Sequence, residues 1–216
     1  MTVDVIMPVY NQEELIERAV NSVPRNCKII ICDDGSTDNT LRTIERLSNT
    51  RRITLISNDK NEGIGYSLAR LMDEATADYI VQLDSDDYFL PDVNRVINQL
   101  NGEDLVFYNI QYSDGRKRRI YKENVNRWVG NGKFIRREFL GDIRPEPVRI
   151  HEDQYVHKAL LAKSPTMKFT DVYAYCYVKR VGSLTYEYFK GRQHAQSNTT
   201  ERGKGLGNYQ INPKWR

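Results

Sequence analysis

Apolar positions in the first hundred residues fall into two rhythms that take turns along the chain. Val3–Val9, Lys28–Cys32, Ile53–Ser57 and Tyr79–Leu83 are short runs rich in Ile and Val, of strand length. Between them apolar residues recur at helical spacing: Leu15, Ala19 and Val23; Leu41, Ile44 and Leu47; and, from about Gly63, Leu68, Leu71, Met72 and Ala75. Asn11 with Glu14 three residues on has the form of a reciprocal helix-start cap, and Thr37 is placed to cap the second helix. Strand–helix alternation of this kind predicts a parallel sheet covered on both faces. The unbroken Ile29-Ile30-Ile31 is what a strand buried on both sides requires.

Past about residue 100 the rhythm changes. Asp104–Gln111 and Arg118–Tyr121 read as two strands around a Ser113-Asp114-Gly115 turn, a helix is expected from about His151 to Ala162, and Val172–Val178 reads as an aromatic-rich strand. The last thirty residues are polar and Gly-rich. The change near 100 is read as two halves of one domain over 1–216, with residues 1–100 and 101–216 doing different jobs.

Composition narrows the class. A chain of 216 residues with 39% hydrophobic content has enough apolar material for a real core. Its formal net charge of +3 is too small to argue for nucleic acid. No apolar run reaches the roughly 18 residues of a membrane helix, and the N-terminus has no signal-peptide profile, so the expectation is a soluble, cytoplasmic protein. Cys27, Cys32 and Cys176 are odd in number and widely spaced, which fits buried reduced thiols.

Three of the four early strands end in polar clusters: Pro8-Val9-Tyr10-Asn11, Asp33-Asp34-Gly35-Ser36 and Asp84-Ser85-Asp86-Asp87. In an open parallel sheet ligands sit beyond the carboxyl ends of the strands, so all three clusters are expected at one rim. Three carboxylates within four residues repel one another unless a cation or solvent neutralises them. Alternation along an extended segment lets Asp84 and Asp86 face one ligand, and Mg²⁺ or Mn²⁺ takes a few carboxylate oxygens while leaving room for phosphate. A solvated acidic turn, with Asp87 capping a helix, is the plainer alternative. At Asp33-Asp34, a carboxylate can accept a uracil N–H, or the segment is a simple Asp-Gly turn.

The segments Met7-Pro8-Val9-Tyr10-Asn11, Cys32-Asp33-Asp34-Gly35-Ser36-Thr37-Asp38, Asn61-Glu62-Gly63 with Ala69-Arg70, and Leu83-Asp84-Ser85-Asp86-Asp87 together resemble the successive motifs of family 2 glycosyltransferases. The resemblance runs over roughly residues 3–100. It implies the GT-A fold: a Rossmann-like α/β domain with a mostly parallel central sheet flanked by helices and a smaller antiparallel acceptor-side portion. It also implies an inverting transferase using a nucleotide sugar, commonly a UDP-sugar, with Mn²⁺ or Mg²⁺. By position, Pro8, Val9, Tyr10 and Asn11 line the base pocket and Asp34, with Asp33 beside it, holds uracil. Asn61, Gly63 and Arg70 lie near the nucleoside, Asp84 and Ser85 by the ribose, and Asp86 on the metal. The family often has Asn after Ala-Arg; Leu71 stands here.

In the second half, His151-Glu152-Asp153 resembles the family's Glu-Asp motif, making Asp153 the expected base and Glu152 its neighbour. Helix-start acids stabilised by the dipole are the plain alternative. His157, one turn after Asp153, is in reach of it, though a surface or core histidine is the simpler reading. Trp128 offers either a stacking platform for an acceptor sugar or core filler. Lys179 and Arg180 resemble the loop that closes over the diphosphate, where the family often carries His. The basic run Arg116-Lys117-Arg118-Arg119 reads as a solvated hairpin face, or as a contact for an anionic acceptor, lipid headgroup or nucleic acid. The expected partners are a nucleotide-sugar donor and a glycan, lipid-linked or other hydroxyl acceptor, with peripheral membrane contact open. A non-catalytic nucleotide-sugar binder is the main alternative. A nucleotidyltransferase is disfavoured, because Pro8-Val9-Tyr10-Asn11-Gln12 stands where a Gly-rich phosphate loop belongs.

Overall fold

The structure, a computed structural model, describes residues 1–127, 131–146 and 152–180. The chain splits into two compact units, Met1–Lys179 and Arg180–Arg216, and the first is described below. The predicted Trp128 site, the loop from Val181 onward and the polar tail lie outside the described residues, as does the side chain of Glu152.

The four early strands form where the apolar runs placed them: β1 (Val3–Val9), β2 (Lys28–Asp33), β3 (Ile53–Ser57) and β4 (Tyr79–Gln82). They pair in parallel in the order β3-β2-β1-β4. The connecting helices are α1 (Ile16–Ser22), α2 (Thr40–Ser48) and α3 (Ile64–Glu74). β1 to β3 progress outward in one direction and β4 returns to the far side of β1. With right-handed crossovers this puts α1 and α2 on one face and α3 on the other. Accordingly α1 packs on α2, while α3 packs on β1, β2 and the later helix α6 (Glu152–Ala162). All seven residues of β1 are buried, including Asp4. Its carboxylate is satisfied inside the fold, accepting the N–H groups of Thr76 at 2.7 Å and Ala77 at 2.9 Å.

Two helix starts differ from the sequence expectation. α1 begins at Ile16 with no side-chain cap, and Asn11 instead takes a left-handed φ of 50°. Its Oδ1 accepts the Thr37 N–H at 2.8 Å, so the Asn11 and Thr37 loops brace each other. α2 begins at Thr40, not at Thr37; the loop before it is held by Asp38, which accepts the Thr40 N–H at 2.9 Å, and by Glu13, which accepts that of Asn39 at 2.9 Å. Bonds between loops distant in sequence, Asn11 to Thr37 and Glu13 to Asn39, stand where the caps were expected, with Asp38 adding a local one.

The second half continues the same sheet. β6 (Leu105–Tyr112) and β9 (Met167–Tyr177) are long and parallel to each other. β8 (Lys133–Arg136) runs antiparallel between β4 and β6. β5 (Tyr88–Phe89) closes the far edge against β9, giving the order β3-β2-β1-β4-β8-β6-β9-β5. β7 (Lys117–Arg118) forms the expected hairpin with β6, although only Arg118 of the predicted Arg118–Tyr121 segment pairs. Because β8 opposes both neighbours, β6 and β9 point the same way as β1–β4. One rim therefore collects the C-terminal ends of all these strands. The three cysteines are buried and free, as their spacing implied.

Candidate active site

At the rim, the β1 and β2 ends come first. Asp33 and Asp34 are 3% and 4% exposed. The Asp34 carboxylate is engaged by three donors: Asn58 Nδ2 at 2.6 Å, the Glu62 N–H at 3.0 Å and the Gly63 N–H at 2.9 Å. Arg70 in turn bonds Asn58 Oδ1 and the Ser57 carbonyl. Asp34 thus shapes the 58–63 loop that carries Asn61. Asp33 receives the Ser36 N–H at 3.3 Å on one oxygen, while its other oxygen is buried with no partner among the described residues. Gly35 makes the turn possible. Its φ is +72°, and a Cβ there would sit 2.6 Å from the Lys60 carbonyl carbon. Pro8 and Val9 are buried strand residues whereas Tyr10 is 41% exposed, so the aromatic ring stands out at the rim.

The Asp84–Asp87 segment follows β4 on the neighbouring strand end. Asp84 accepts Gln82 Nε2 at 2.8 Å on one oxygen and Asn131 Nδ2 at 2.7 Å on the other. Burial, and then the Asp86 carboxylate, push Asp84 up to about 6 against those two amides. Asp87 is 1% exposed and is no helix cap: it accepts the Tyr175 hydroxyl at 2.6 Å and the Val178 N–H at 2.7 Å. Burial, Asp84 and Asp86 together raise it to about 8. The Asp86 carbonyl accepts Arg18 Nη2 at 2.6 Å, which ties the loop to α1. Ser85 is buried.

Tyr175 is the hub beneath this segment. Its hydroxyl donates to Asp87 and accepts from Asn131 Nδ2 at 2.7 Å and from the Asp84 N–H at 3.3 Å, so its capacity is filled. Asn131 spends one N–H on Asp84 and one on Tyr175. Strand β9, nearly a hundred residues later in sequence, thereby fixes the orientation of the acidic segment.

On the α6 side, Asp153 lines a small cavity of about 30 Å³, room for roughly one water. Gln82, Asn131 and Lys133 line it too, with Ile6 and Met72 among the apolar walls. Lys133 is only 7% exposed, and burial lowers it to about 8 while the Asp153 charge opposes that shift. His157 is buried at 1%; its ring nitrogen Nε2 bonds the Val125 carbonyl at 2.9 Å, and burial followed by the Lys133 charge lowers it to about 4. It is a neutral core residue and not a surface-facing partner of the site. Lys179 is drawn toward the β6–β7 turn, its ammonium 3.7 Å from Asp114. Arg180 opens the second unit.

Gln82, Asn131, Lys133, Tyr175 and Arg18 were missed by sequence reasoning. Gln82 alone had a signal, since strand alternation puts it on the same face as Asp84. The others reach the site through pairing of distant segments.

The acidic pair fits a divalent ion. Among the described residues no group of three or more His, Cys, Asp or Glu side chains is arranged to hold a metal. Mg²⁺ and Mn²⁺, however, are commonly bound through one or two carboxylates plus substrate phosphates. Asp84 and Asp87 are both raised, first by burial and then by neighbouring carboxylates.

A mixed sheet with this strand order, carrying acidic residues at the C-terminal rim, is the architecture of GT-A glycosyltransferases. Residues 4–161 match the glycosyl transferase family 2, and the chain belongs to that family. It is 34% identical over 137 residues to the Escherichia coli UDP-Glc:alpha-D-GlcNAc-diphosphoundecaprenol beta-1,3-glucosyltransferase WfgD, covering 62% of this chain and 50% of that protein. Staphylococcus aureus TarS residues 1–349, solved with UDP-GlcNAc, superposes with a TM-score of 0.74 at 23% identity, covering 85% of this chain and 60% of that one. The mannosyltransferase PcManGT from Pyrobaculum calidifontis, solved with GDP-Man and Mn²⁺, has a TM-score of 0.67 at 19% identity, covering 94% of this chain and 65% of that one. The chain spans half or less of the length of the curated relatives it matches. Among the described residues no helix is long and apolar enough to cross a membrane.

Proposed function

We propose that this chain is an inverting, metal-dependent transferase that moves a sugar from a UDP-sugar to an acceptor hydroxyl, with Asp153 as general base. The observation that carries this reading is the convergence at one rim of the Asp33–Asp34 and Asp84–Asp86 pairs, with Asp153 lining a cavity beside Gln82 and Asn131, the two side chains that hold Asp84. The UDP-sugars named with WfgD and TarS support the choice of nucleotide.

In this reading the nucleoside lies over the β1–β2 end. Asp33 offers an oxygen with unmet acceptor capacity to the base, and Asp34 holds the flanking loop, with Pro8, Val9, Tyr10, Asn11, Asn61, Gly63 and Arg70 around it. Asp84 and Ser85 meet the ribose side, and Asp86, with Asp84 beside it, holds Mn²⁺ or Mg²⁺. A bound ion supplies positive charge to the departing diphosphate. The acceptor oxygen attacks the anomeric carbon, its proton passes to the Asp153 carboxylate, and the C–O bond to the diphosphate breaks on the opposite face. Lys179, one residue past the Val178 N–H that Asp87 accepts, is assigned to the diphosphate. A GlcNAc-diphospholipid of the kind in the WfgD name exemplifies a suitable acceptor, one that keeps the enzyme at a membrane surface.

The test is a panel of nucleotide sugars incubated with the protein and Mn²⁺, read as free nucleotide diphosphate. Slow hydrolysis of a UDP-sugar, abolished by chelator, is the expected result. Inertness toward every donor, with no binding of any nucleotide, contradicts the reading.

A further inference from the structure

The basic hairpin is the feature that the proposed chemistry leaves unused. Residues 113–122 carry five basic side chains (Arg116, Lys117, Arg118, Arg119 and Lys122) against one acidic, Asp114. That stretch alone is more positive than the whole chain, whose formal net charge is +3.

Sheet pairing fixes where this charge stands. One edge of β6 is occupied by β9 from Leu105 to Tyr112. Both β8, opposite Leu105–Phe107, and β7, opposite Ile110–Gln111, must therefore lie on the other edge. β7 continues the column of β8 toward the rim. The next column is β4, which ends in the Asp84–Asp87 segment. The basic strand is thus on the order of one strand spacing, about 5 Å, from the column of the acidic segment.

Hydrogen bonds pin both ends of the hairpin there. At the turn, the Ser113 N–H donates to the Tyr177 carbonyl at 2.9 Å and Ser113 Oγ accepts the Lys179 N–H at 3.2 Å. The intervening Val178 donates to Asp87. At the far end, Asn109 Oδ1 accepts the Ile120 N–H at 2.8 Å. The sheet order runs from the nucleoside end at β2 and β1, through the acidic segment at β4, to the hairpin. The hairpin therefore lies beyond the donor's diphosphate, on the acceptor side.

Its side chains suit a multiply charged anion. Arg116 packs over the Tyr112 ring at 5.1 Å and Lys117 over Tyr173 at 5.0 Å, so aromatic faces position two of the cations. Arg116 is paired with Asp114 at 3.0 Å, and Arg118 and Arg119 add two more planar guanidinium groups of the shape that matches phosphate oxygens in pairs. The exposed Tyr121 ring lies next to them in sequence.

We infer that the β6–β7 hairpin is an acceptor-side anion site, taking a phosphate or diphosphate group attached to the acceptor sugar. This rests on the transferase reading above and narrows its acceptor to phosphate-bearing molecules. The group comes from a lipid-carried sugar diphosphate or from a soluble sugar phosphate, and the same chemistry serves both.

The experiment is calorimetric titration of the full chain, with UDP and Mn²⁺ present in saturating amounts so that the donor site is filled. The probes are inorganic pyrophosphate, geranyl diphosphate and geraniol. The two diphosphates are expected to bind and geraniol not. Arg118→Gln/Arg119→Gln is expected to weaken diphosphate binding at least tenfold, leave the melting temperature and UDP affinity unchanged, and remove the loss of affinity that added salt causes in the wild type. A preference for geranyl diphosphate over pyrophosphate identifies the lipid-carried source, and equal binding the soluble one. Equal diphosphate affinity in wild type and variant, no diphosphate binding in a protein that still binds UDP, or a loss confined to UDP binding would each overturn the inference. Failure of UDP itself to bind would count against the transferase reading, and the diphosphate titrations would still decide the hairpin.

Discussion

The two halves of the rim are built by opposite strategies. On the donor side, Asp33 and Asp34 stand at the end of β2, whose neighbours in the sheet, β1 and β3, are also its neighbours in the chain. On the acceptor side the polar residues are delivered by β8, β9 and α6, which reach the rim by antiparallel return and long-range pairing. The consequence is energetic. Donor-side carboxylates such as Asp34 are satisfied by backbone and amide donors within thirty residues. The acidic segment depends on Tyr175 and Asn131, 44 to 91 residues away. The donor side is therefore expected to tolerate changes in the second half, whereas the acidic segment links the two.

The largest expected effect is on turnover. Asp153→Asn should lower kcat roughly 10²–10⁴-fold, the span of a lost general base, with donor affinity unchanged in a titration of UDP. A variant that loses donor binding as well would show that the halves are not separable in this way. On stability, Gly35→Ala should be the most damaging donor-side change. It combines a positive φ with a backbone contact at 2.6 Å, and its cost belongs at the upper end of roughly 1–3 kcal/mol in denaturant unfolding. Tyr175→Phe, which strips the hub and leaves Asp87 with one donor, should cost roughly 1–3 kcal/mol in the same measurement. Unlike Gly35→Ala, it should also weaken Mn²⁺ binding.

A smaller effect follows from protonation in the metal-free protein. Folded Asp84 keeps its proton up to about 6 and folded Asp87 up to about 8, whereas an unfolded carboxyl releases it near 3.9. Between about pH 4 and 8 the folded state binds more protons, so these groups contribute stability at low pH that is lost as pH rises. Asp87→Asn should flatten that decline, and its stability relative to wild type should be higher at pH 8 than at pH 5. An unchanged difference between the two pH values would mean that Asp87 is not held protonated.

The same contrast decides what was legible in the sequence. The period of the apolar residues placed β1–β4 and α3 nearly to the residue, because burial on both faces of a parallel sheet leaves a continuous apolar run. The caps at Asn11 and Thr37 were misread, since each residue forms the local pattern of a cap while its bonds cross to the other loop. For His157 surface and core were both open, since no local pattern decides between them: its burial follows from how α6 packs. Lys133 and Asn131 sit in a short segment of unremarkable polarity, and only the pairing of β8 with β4 turns them toward the rim. The aromatic-rich strand Val172–Val178 was visible, yet nothing local distinguished Tyr175 from Tyr173 or Tyr177.

The central claim is that Asp84 and Asp86 hold a divalent ion that in turn holds the donor's diphosphate. Calorimetric titration of UDP into wild type and Asp86→Ala, each with and without Mn²⁺, tests it most directly. Wild type should bind UDP at least tenfold more tightly with Mn²⁺, while Asp86→Ala should retain the weaker, metal-independent affinity and gain nothing from the ion. Equal UDP affinity with and without Mn²⁺ in the wild type, or an undiminished metal effect in Asp86→Ala, would contradict the account.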